Sequence, residues 1–281
     1  MDWIARLNEA IDHIEAHLQD GISCEELGRI CCCSAYQFQR MFGYLADISL
    51  SEYIRRRKMS LAAVDLQAGE KIIDIALKYG YSSPTAFNRA FQSVHGVAPS
   101  QVRKIGVLLR SYPPLRFKIT VKGVEEMNYR IEKREAFRVV GVSCPLEQEL
   151  EKNLVNVPKL WQKAGADGSL ARLAEMINGE PGGILGIYAY GPETNRRCYL
   201  AVATDRDSDG MEEYTVPACT WAIFPGQWNT PEDIQRLEQR IAAEWLPSSG
   251  YEYAAGPDIE VYLEPAHEGS AFEVWIPVVK K

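Results

Sequence analysis

The first hundred residues carry apolar side chains at helical spacing, interrupted at short intervals by turn and capping residues. The first such segment runs from Trp3 to Leu18, and Gly21 then ends the helix. Ser23 begins a capping-box pattern, and Ser34 precedes another amphipathic segment. The pattern therefore predicts a series of short, consecutive helices.

The segment that follows Ser34 is repeated 49 residues later in the chain. Its inward positions are apolar in both copies, since Phe38 aligns with Phe87 and Phe42 with Phe91. Each copy is the second helix of a short pair and has an arginine on its outer face, which fits a helix-turn-helix unit. We therefore predict two such units.

Signals for helix ends also support the second unit. A short apolar helix finishes at Gly80, and Ser83 with Pro84 begins the next helix. Between the copies, residues 51–67 form one predicted helix, roughly 25 Å long at 1.5 Å per residue, which starts with the basic run 55–58. A helix of this length can hold the two helix-turn-helix units, or DNA-binding heads, about one turn of DNA apart.

Residues 1–110 resemble the DNA-binding domain of the AraC/XylS family of bacterial transcription regulators. The resemblance is strongest in the second unit, over about thirty residues. Its motif consists of Ile75-Ala76, Gly80-Tyr81-Ser82-Ser83, Phe87, Arg89, Phe91, Gly96, Pro99-Ser100 and Arg103.

This resemblance implies that both second helices enter the major groove of double-stranded promoter DNA. Arginine can pair with guanine through two hydrogen bonds, while Gln and Asn can pair with adenine, so the polar outer faces suit base reading. Pro84 replaces a polar residue and predicts fewer base contacts for the second unit. The predicted base-reading residues are Tyr36, Gln39, Arg40, Thr85, Asn88 and Arg89.

Other interpretations of these charged side chains remain open. Arg40 and Arg89 could form salt bridges on solvated helix faces. The run 55–58 could contact phosphate, lie in a solvated linker helix or pair with Glu52.

The period of the apolar pattern changes to two after residue 122. Pro113-Pro114 and Gly123 suggest a linker over 111–122, followed by a second domain over 123–281. The fold class is therefore multidomain: an all-α double helix-turn-helix domain followed by an α+β, pseudo-symmetric domain with an antiparallel sheet. Strands are predicted at about 127–133, 137–143, 184–191, 198–204, 214–224, 258–263 and 271–278, and helices near 150–164, 169–178 and 231–246.

The order of these elements and the ending 250–278 resemble the GyrI-like effector-binding domain of multidrug-sensing regulators. Alternation in the last strand places Glu273 and Trp275 on one face, where a carboxylate beside an indole suits a cationic aromatic guest. By resemblance, Glu273 is the central pocket carboxylate, with Glu260 as the alternative. The predicted effector-binding residues are Glu273, Trp275, Tyr188, Tyr190 and Trp221.

Charge and composition limit the remaining possibilities. The net charge of −7 divides into +1 for residues 1–112 and −8 for the remainder, so the acidic total is compatible with a DNA-binding first half. We expect a cytoplasmic protein with no membrane segment, no metal and no cofactor, because no long apolar run, leader pattern or ligand spacing occurs. The seven cysteines are expected to be reduced; a redox role for Cys31–Cys33 is a minor alternative.

These residues and their spacing thus predict a transcription regulator rather than an enzyme. Effector occupancy is expected to change the availability of the DNA-binding half, or its contact with RNA polymerase. Two alternatives concern the second domain: a small-molecule hydrolase using Glu273 and a tyrosine, or a module that binds only proteins.

Overall fold

The structure of the chain is a computed structural model that describes residues 3–118, 126–148, 150–190, 196–230, 232–263 and 269–281. Its N-terminal part is helical. The helices are α1 (Trp3–Ala16), α2 (Cys24–Ile30), α3 (Ala35–Ala46), α4 (Leu50–Ala68), α5 (Ile72–Lys78) and α6 (Pro84–His95), followed by a 3₁₀ turn at Pro99–Gln101.

The helix starts follow the capping residues. Ser34 accepts a hydrogen bond from the Gln37 amide, and the Gln37 side chain accepts one from the Ser34 amide, so α3 begins with a complete capping box. At the start of α6 the Ser83 side chain accepts a hydrogen bond from the Ala86 amide, without a reciprocal bond, and Pro84 takes the first helical position. Gly80 has a φ of +80°, as expected for the residue that ends α5.

The second part of the chain is a nine-stranded antiparallel sheet with helices. A single strand was predicted over 214–224, but two strands form because Pro217 and Ala218 turn the chain between them. The elements are β1 (Arg130–Arg134), β2 (Phe137–Pro145), α7 (Leu150–Ala166), α8 (Ser169–Met176), β3 (Ile184–Ala189), β4 (Arg197–Ala203), β5 (Glu212–Val216), β6 (Cys219–Trp228), α9 (Asp233–Arg240), β7 (Tyr251–Tyr253), β8 (Asp258–Tyr262) and β9 (Ser270–Lys280).

The sheet has the predicted pseudo-symmetry. Its strand order is β1-β6-β9-β8-β3-β4-β2-β5, with β7 paired to β9. The first half consists of β1 to β4 and the second of β5 to β9, and the halves join at the centre through the pairing of β3 with β8. The first strand of each half pairs at the outer edge of the other half, β1 with β6 and β5 with β2. Helices α7 and α9 therefore belong to equivalent positions of the two halves, with β3 and β8 between them.

The first helix-turn-helix unit and the sheet share a continuous core. Phe38, Met41 and Phe42 of α3 belong to the same buried cluster as Val274 and Ile276 of β9. The second unit has a separate core, built on α4, α5 and α6. Only the first unit is therefore integrated with the second domain through a common apolar interior.

Two matched substitutions test this division. Phe42→Ala and Phe91→Ala each remove a fully buried ring, at an expected cost of about 3–5 kcal/mol in the free energy of unfolding. Phe42→Ala should accelerate amide hydrogen exchange in α9 and β9 as well as in α3, whereas Phe91→Ala should accelerate it only in α4, α5 and α6. Unchanged exchange in α9 and β9 of the Phe42→Ala variant would contradict the shared core.

Candidate functional site

Helix α3, the second helix of the first unit, lies against the second domain with its outer face inward. Its apolar face packs into the shared core, and Tyr36, Gln39 and Arg40 are only 7%, 7% and 9% exposed. The Gln39 side-chain amide donates a hydrogen bond of 2.8 Å to the carbonyl of Gln148, which precedes α7. The predicted DNA-reading face of the first unit is therefore buried within the molecule.

The guanidinium of Arg40 is held by acidic and aromatic groups of the second domain. It forms an ion pair with Glu238 of α9, and its Nη1 lies 3.6 Å from the Asp258 carboxylate. Its Cζ lies 5.1 Å from the ring centre of Tyr188 and 5.8 Å from that of Tyr44. Carboxylates and tyrosine faces together stabilise a desolvated cation.

Two of the predicted effector residues, Tyr188 and Tyr190, complete this environment. The ring of Tyr36 stacks on Tyr190 with centroids 4.9 Å apart, and lies 6.3 Å from Tyr188. The Tyr190 hydroxyl donates to Asp258 at 3.1 Å. Residues predicted to read DNA and residues predicted to bind the effector thus occupy one site.

Strand β8 supplies the acidic floor of the site. Asp258 and Glu260 alternate along the strand, so both face α3. Gln37 donates to Asp258 at 3.0 Å, and the Tyr262 hydroxyl donates to Glu260 at 2.8 Å. Burial raises the pKa of both carboxyls, and the positive charge of Arg40 partly offsets that effect.

The neighbouring strand leaves space for the Glu260 carboxylate. Gly186 of β3 is paired with Glu260, and a Cβ at this glycine would lie 3.3 Å from Glu260 Oε2. Tyr188 lies two residues after Gly186, on the same face of β3, and next to the Glu260 carboxylate, which accepts its hydrogen bond from Tyr262. The alternative pocket acid of the sequence analysis is therefore the one beside the tyrosines.

The other three predicted effector residues lie on the opposite face of the sheet, so the five predicted residues do not form one pocket. Trp221 and Trp275 are buried in a separate core with ring centroids 5.8 Å apart. Glu273 accepts hydrogen bonds from Arg130 at 2.7 and 3.0 Å and from the Trp275 indole at 2.8 Å. The alternation in β9 was read correctly, but its apolar face, with Val274, is the one toward α3.

Sequence reasoning missed Glu238, Tyr44 and Asp258 as members of the site. Glu238 belongs to a helix of the second domain and Tyr44 to the end of α3, so only tertiary packing brings them together. A usable signal did exist on β8, where acids alternate with apolar residues at Asp258 and Glu260. Acids on the same face of a strand that is otherwise apolar indicate a buried acidic site.

The second unit presents its reading face to solvent. Thr85 and Arg89 of α6 are exposed and Asn88 is half-buried. Arg89 occupies the position that Arg40 has in the first unit, 49 residues earlier. The two copies of one motif thus differ in accessibility, although they are alike in caps and core.

The basic run at the start of α4 is mostly engaged within the protein. Arg55 and Arg56 both pair with Glu52, which was one of the alternatives considered. Arg57 is buried and bound to Glu15 through two nitrogens. Lys58 donates to the carbonyl of Tyr79 at 3.0 Å.

The three adjacent cysteines differ in environment. Burial raises the pKa of the Cys31 thiol to about 12 and that of Cys33 well above its ordinary value. Both thiols are therefore protonated at neutral pH and are poor nucleophiles. Cys32 is exposed.

Within the described ranges, no group of three or more His, Cys, Asp or Glu side chains is arranged to hold a metal ion. No helix formed by these residues has the length and apolar character needed to cross a bilayer.

Comparisons with known proteins agree with this architecture. Residues 27–105 match the profile of a helix-turn-helix domain family, and residues 127–279 match that of the GyrI-like small molecule binding domain. Fold and site thus define a DNA-binding transcriptional regulator that carries a small-molecule-binding domain. The chain belongs to the AraC/XylS family of regulators, with a C-terminal domain of the GyrI-like family.

Its relatives match through the N-terminal third. The transcriptional activator AarP of Providencia stuartii is 34% identical over 98 residues, which cover 34% of this chain and 73% of AarP. The regulatory protein SoxS of Escherichia coli K12 is 33% identical over 98 residues, covering 34% of this chain and 92% of SoxS. The solved structure of SAV2435 bound to tetraphenylphosphonium is 19% identical, with a TM-score of 0.47, and the match covers 54% of this chain and 94% of SAV2435.

Proposed function

We propose that the small-molecule-binding domain binds a lipophilic, aromatic cation in the cleft between α7 and α9, the site in which α3 lies in this structure. The observation that carries this proposal is the placement of Arg40, whose positive charge is held by Glu238 and Asp258 and faces the ring of Tyr188. A ligand with a delocalised charge and aromatic groups would use the same carboxylates and rings.

The acid best placed to determine this preference is Glu260. It lies at the floor of the cleft, accepts a hydrogen bond from Tyr262 and forms no ion pair within 4 Å with another described residue, while Arg40 acts on its charge from farther away. A buried carboxylate without a cationic partner favours a positively charged guest over a neutral one of the same shape. Tyr190 and Asp258 would contact the aromatic groups and the charge, respectively.

Binding of tetraphenylphosphonium to the full chain tests the effector class, since this ion is permanently charged and carries four aromatic rings. Glu260→Gln should weaken its binding by about tenfold or more in calorimetric titrations, because the buried charge loses its counterion. Glu273→Gln is the matched control and should leave the affinity unchanged. Equal affinity of wild type and Glu260→Gln, or a loss in Glu273→Gln alone, would refute the assignment.

We further propose that both recognition helices read promoter DNA, with Tyr36, Gln39 and Arg40 in the first unit and Thr85, Asn88 and Arg89 in the second. In the second set Thr85 and Arg89 are exposed and Asn88 is half-buried, and an exposed arginine on a recognition helix can pair with guanine. The first set requires α3 to leave the cleft.

Arg89→Ala tests the second reading head. A site selected from random DNA should lose about 1–3 kcal/mol of binding free energy, because a bidentate arginine–guanine pair has that value. Arg172→Ala removes an exposed arginine of the second domain and serves as the control. If both variants bind the selected site like wild type in electrophoretic mobility shifts, Arg89 is not a base reader.

We place this activity in the cytoplasm, where promoter DNA is accessible, and propose transcription activation through contact with RNA polymerase. The domain boundaries we propose are 1–110 for the DNA-binding half, 111–122 for the linker and 123–281 for the effector domain. The hydrolase alternative is not favoured, because the carboxylate assigned as its base, Glu273, is engaged by Arg130 and the Trp275 indole.

A further inference from the structure

We infer that helix α3 is a tethered occupant of the effector cleft, that is, a part of the same chain that fills the site of the effector. The effector can enter the cleft, and promoter DNA can reach the first reading face, only when this contact opens. Binding of one therefore favours binding of the other. This inference rests on the proposed function and concerns its regulation.

The helix-turn-helix fold alone does not require a buried reading face. Helix α6 has an N-cap serine and an apolar face like those of α3, yet Arg89 is exposed where Arg40 is only 9% exposed. The difference arises from the second domain, which covers only α3. The burial of Arg40 is therefore a contact between domains and not a property of the motif.

The chemistry of the contact is that of a ligand in a receptor site. Arg40 inserts a delocalised cation between Glu238 and Asp258, against the Tyr188 ring, and Tyr36 supplies an aromatic face that stacks on Tyr190. One helix thus delivers a positive charge and an aromatic ring to the groups that would bind a cationic aromatic effector.

Helix α3 and an effector cannot occupy the cleft together. The cavity left between Arg40, Tyr44, Glu238 and the strands has a volume of about 20 Å³. A single water molecule needs at least about 10–15 Å³ by the same measure. Binding of an effector with several rings therefore requires α3 to move out.

The charges of the contact are incompletely paired, although the apolar face of α3 is part of the core shared with β9. Among the described residues, no acceptor lies in hydrogen-bond geometry to Arg40 Nη1, although the atom is buried. Among the described residues, Glu260 has no ion-pair partner within 4 Å while α3 is docked. An effector cation that pairs with Glu260 and takes the place of Arg40 beside Glu238 and Asp258 would compensate for the charge contacts that α3 gives up.

Displacement exposes the first reading head beside the second. DNA binding in the docked state can use α6 alone, whereas the released state offers α3 and α6 to adjacent major-groove segments. An effector therefore promotes two-headed binding, and DNA that holds α3 must raise the affinity for the effector by the same factor.

The test weakens the hydrogen bonds that hold α3 against α9, which we call the lock. It changes no residue proposed to contact DNA and no acid of the cleft. Gln239 of α9 donates a 2.7 Å hydrogen bond to the Tyr44 carbonyl, and the Tyr44 hydroxyl donates to Glu238. Gln239→Ala and Tyr44→Phe each remove one of these bonds. Gln235→Ala, at an exposed position of the same helix, is the matched control.

Each loosened variant should bind a two-half-site promoter about twofold to tenfold more tightly than wild type without any ligand, as expected for one lost hydrogen bond. Tetraphenylphosphonium should raise the affinity of wild type for this DNA about fivefold or more. It should also extend the nuclease footprint by about 10 base pairs, one further half-site.

The outcomes separate this inference from the proposed effector class. If tetraphenylphosphonium binds and depends on Glu260, but the footprint and DNA affinity do not change, the effector class stands and the tethered-occupant inference is wrong. If this cation does not bind at all, tighter DNA binding by Gln239→Ala and Tyr44→Phe, with Gln235→Ala like wild type, still supports the lock. DNA affinities equal to wild type in both loosened variants overturn it.

Discussion

The buried guanidinium of Arg40 is the interaction on which the arrangement of this protein depends. It connects α3 of the first helix-turn-helix unit to α9 through Glu238 and to β8 through Asp258. Removing a charged side chain from water costs several kcal/mol, so such a contact persists only where opposite charges and hydrogen bonds compensate for it. The effector domain supplies both, and the first unit is held by its own reading face.

The second unit shows what the first would be without this contact. Its core is separate, and its reading face is open to solvent. The chain therefore combines one accessible head with one that is held in a site suited to cationic aromatic groups. Under the proposed function, ligand recognition and DNA recognition depend on the same few side chains, and no long pathway between distant sites is required.

Local structure was largely predictable from the sequence, because it depends on local chemistry. Ser34 and Ser83 specify helix starts through hydrogen bonds to amides two or three residues away, and period-two alternation places Glu273 and Val274 on opposite faces of β9. The choice between those faces was not predictable. It depends on which face α3 covers, and nothing in the sequence of β9 encodes the position of a helix more than two hundred residues earlier.

The same limit explains the site. Tyr188, Tyr190 and Arg40 were each identified, but assigned to two separate functions, since a pattern of residues contains no distance between domains. Glu260 was recognised only as an alternative, and Glu238 was missed because a single acid on an amphipathic helix is ordinary. Packing of α3 between the two halves of the sheet is the tertiary fact that brings these residues together.

The most direct measurement is the distance between the first head and the effector domain in solution. Spin labels introduced as unnatural amino acids at the exposed Gln19 and Gln162 would report it by pulsed electron paramagnetic resonance. We predict one short distance for the free protein and a longer one after addition of tetraphenylphosphonium or promoter DNA. An unchanged distance at a tetraphenylphosphonium concentration that saturates the cleft would contradict the account.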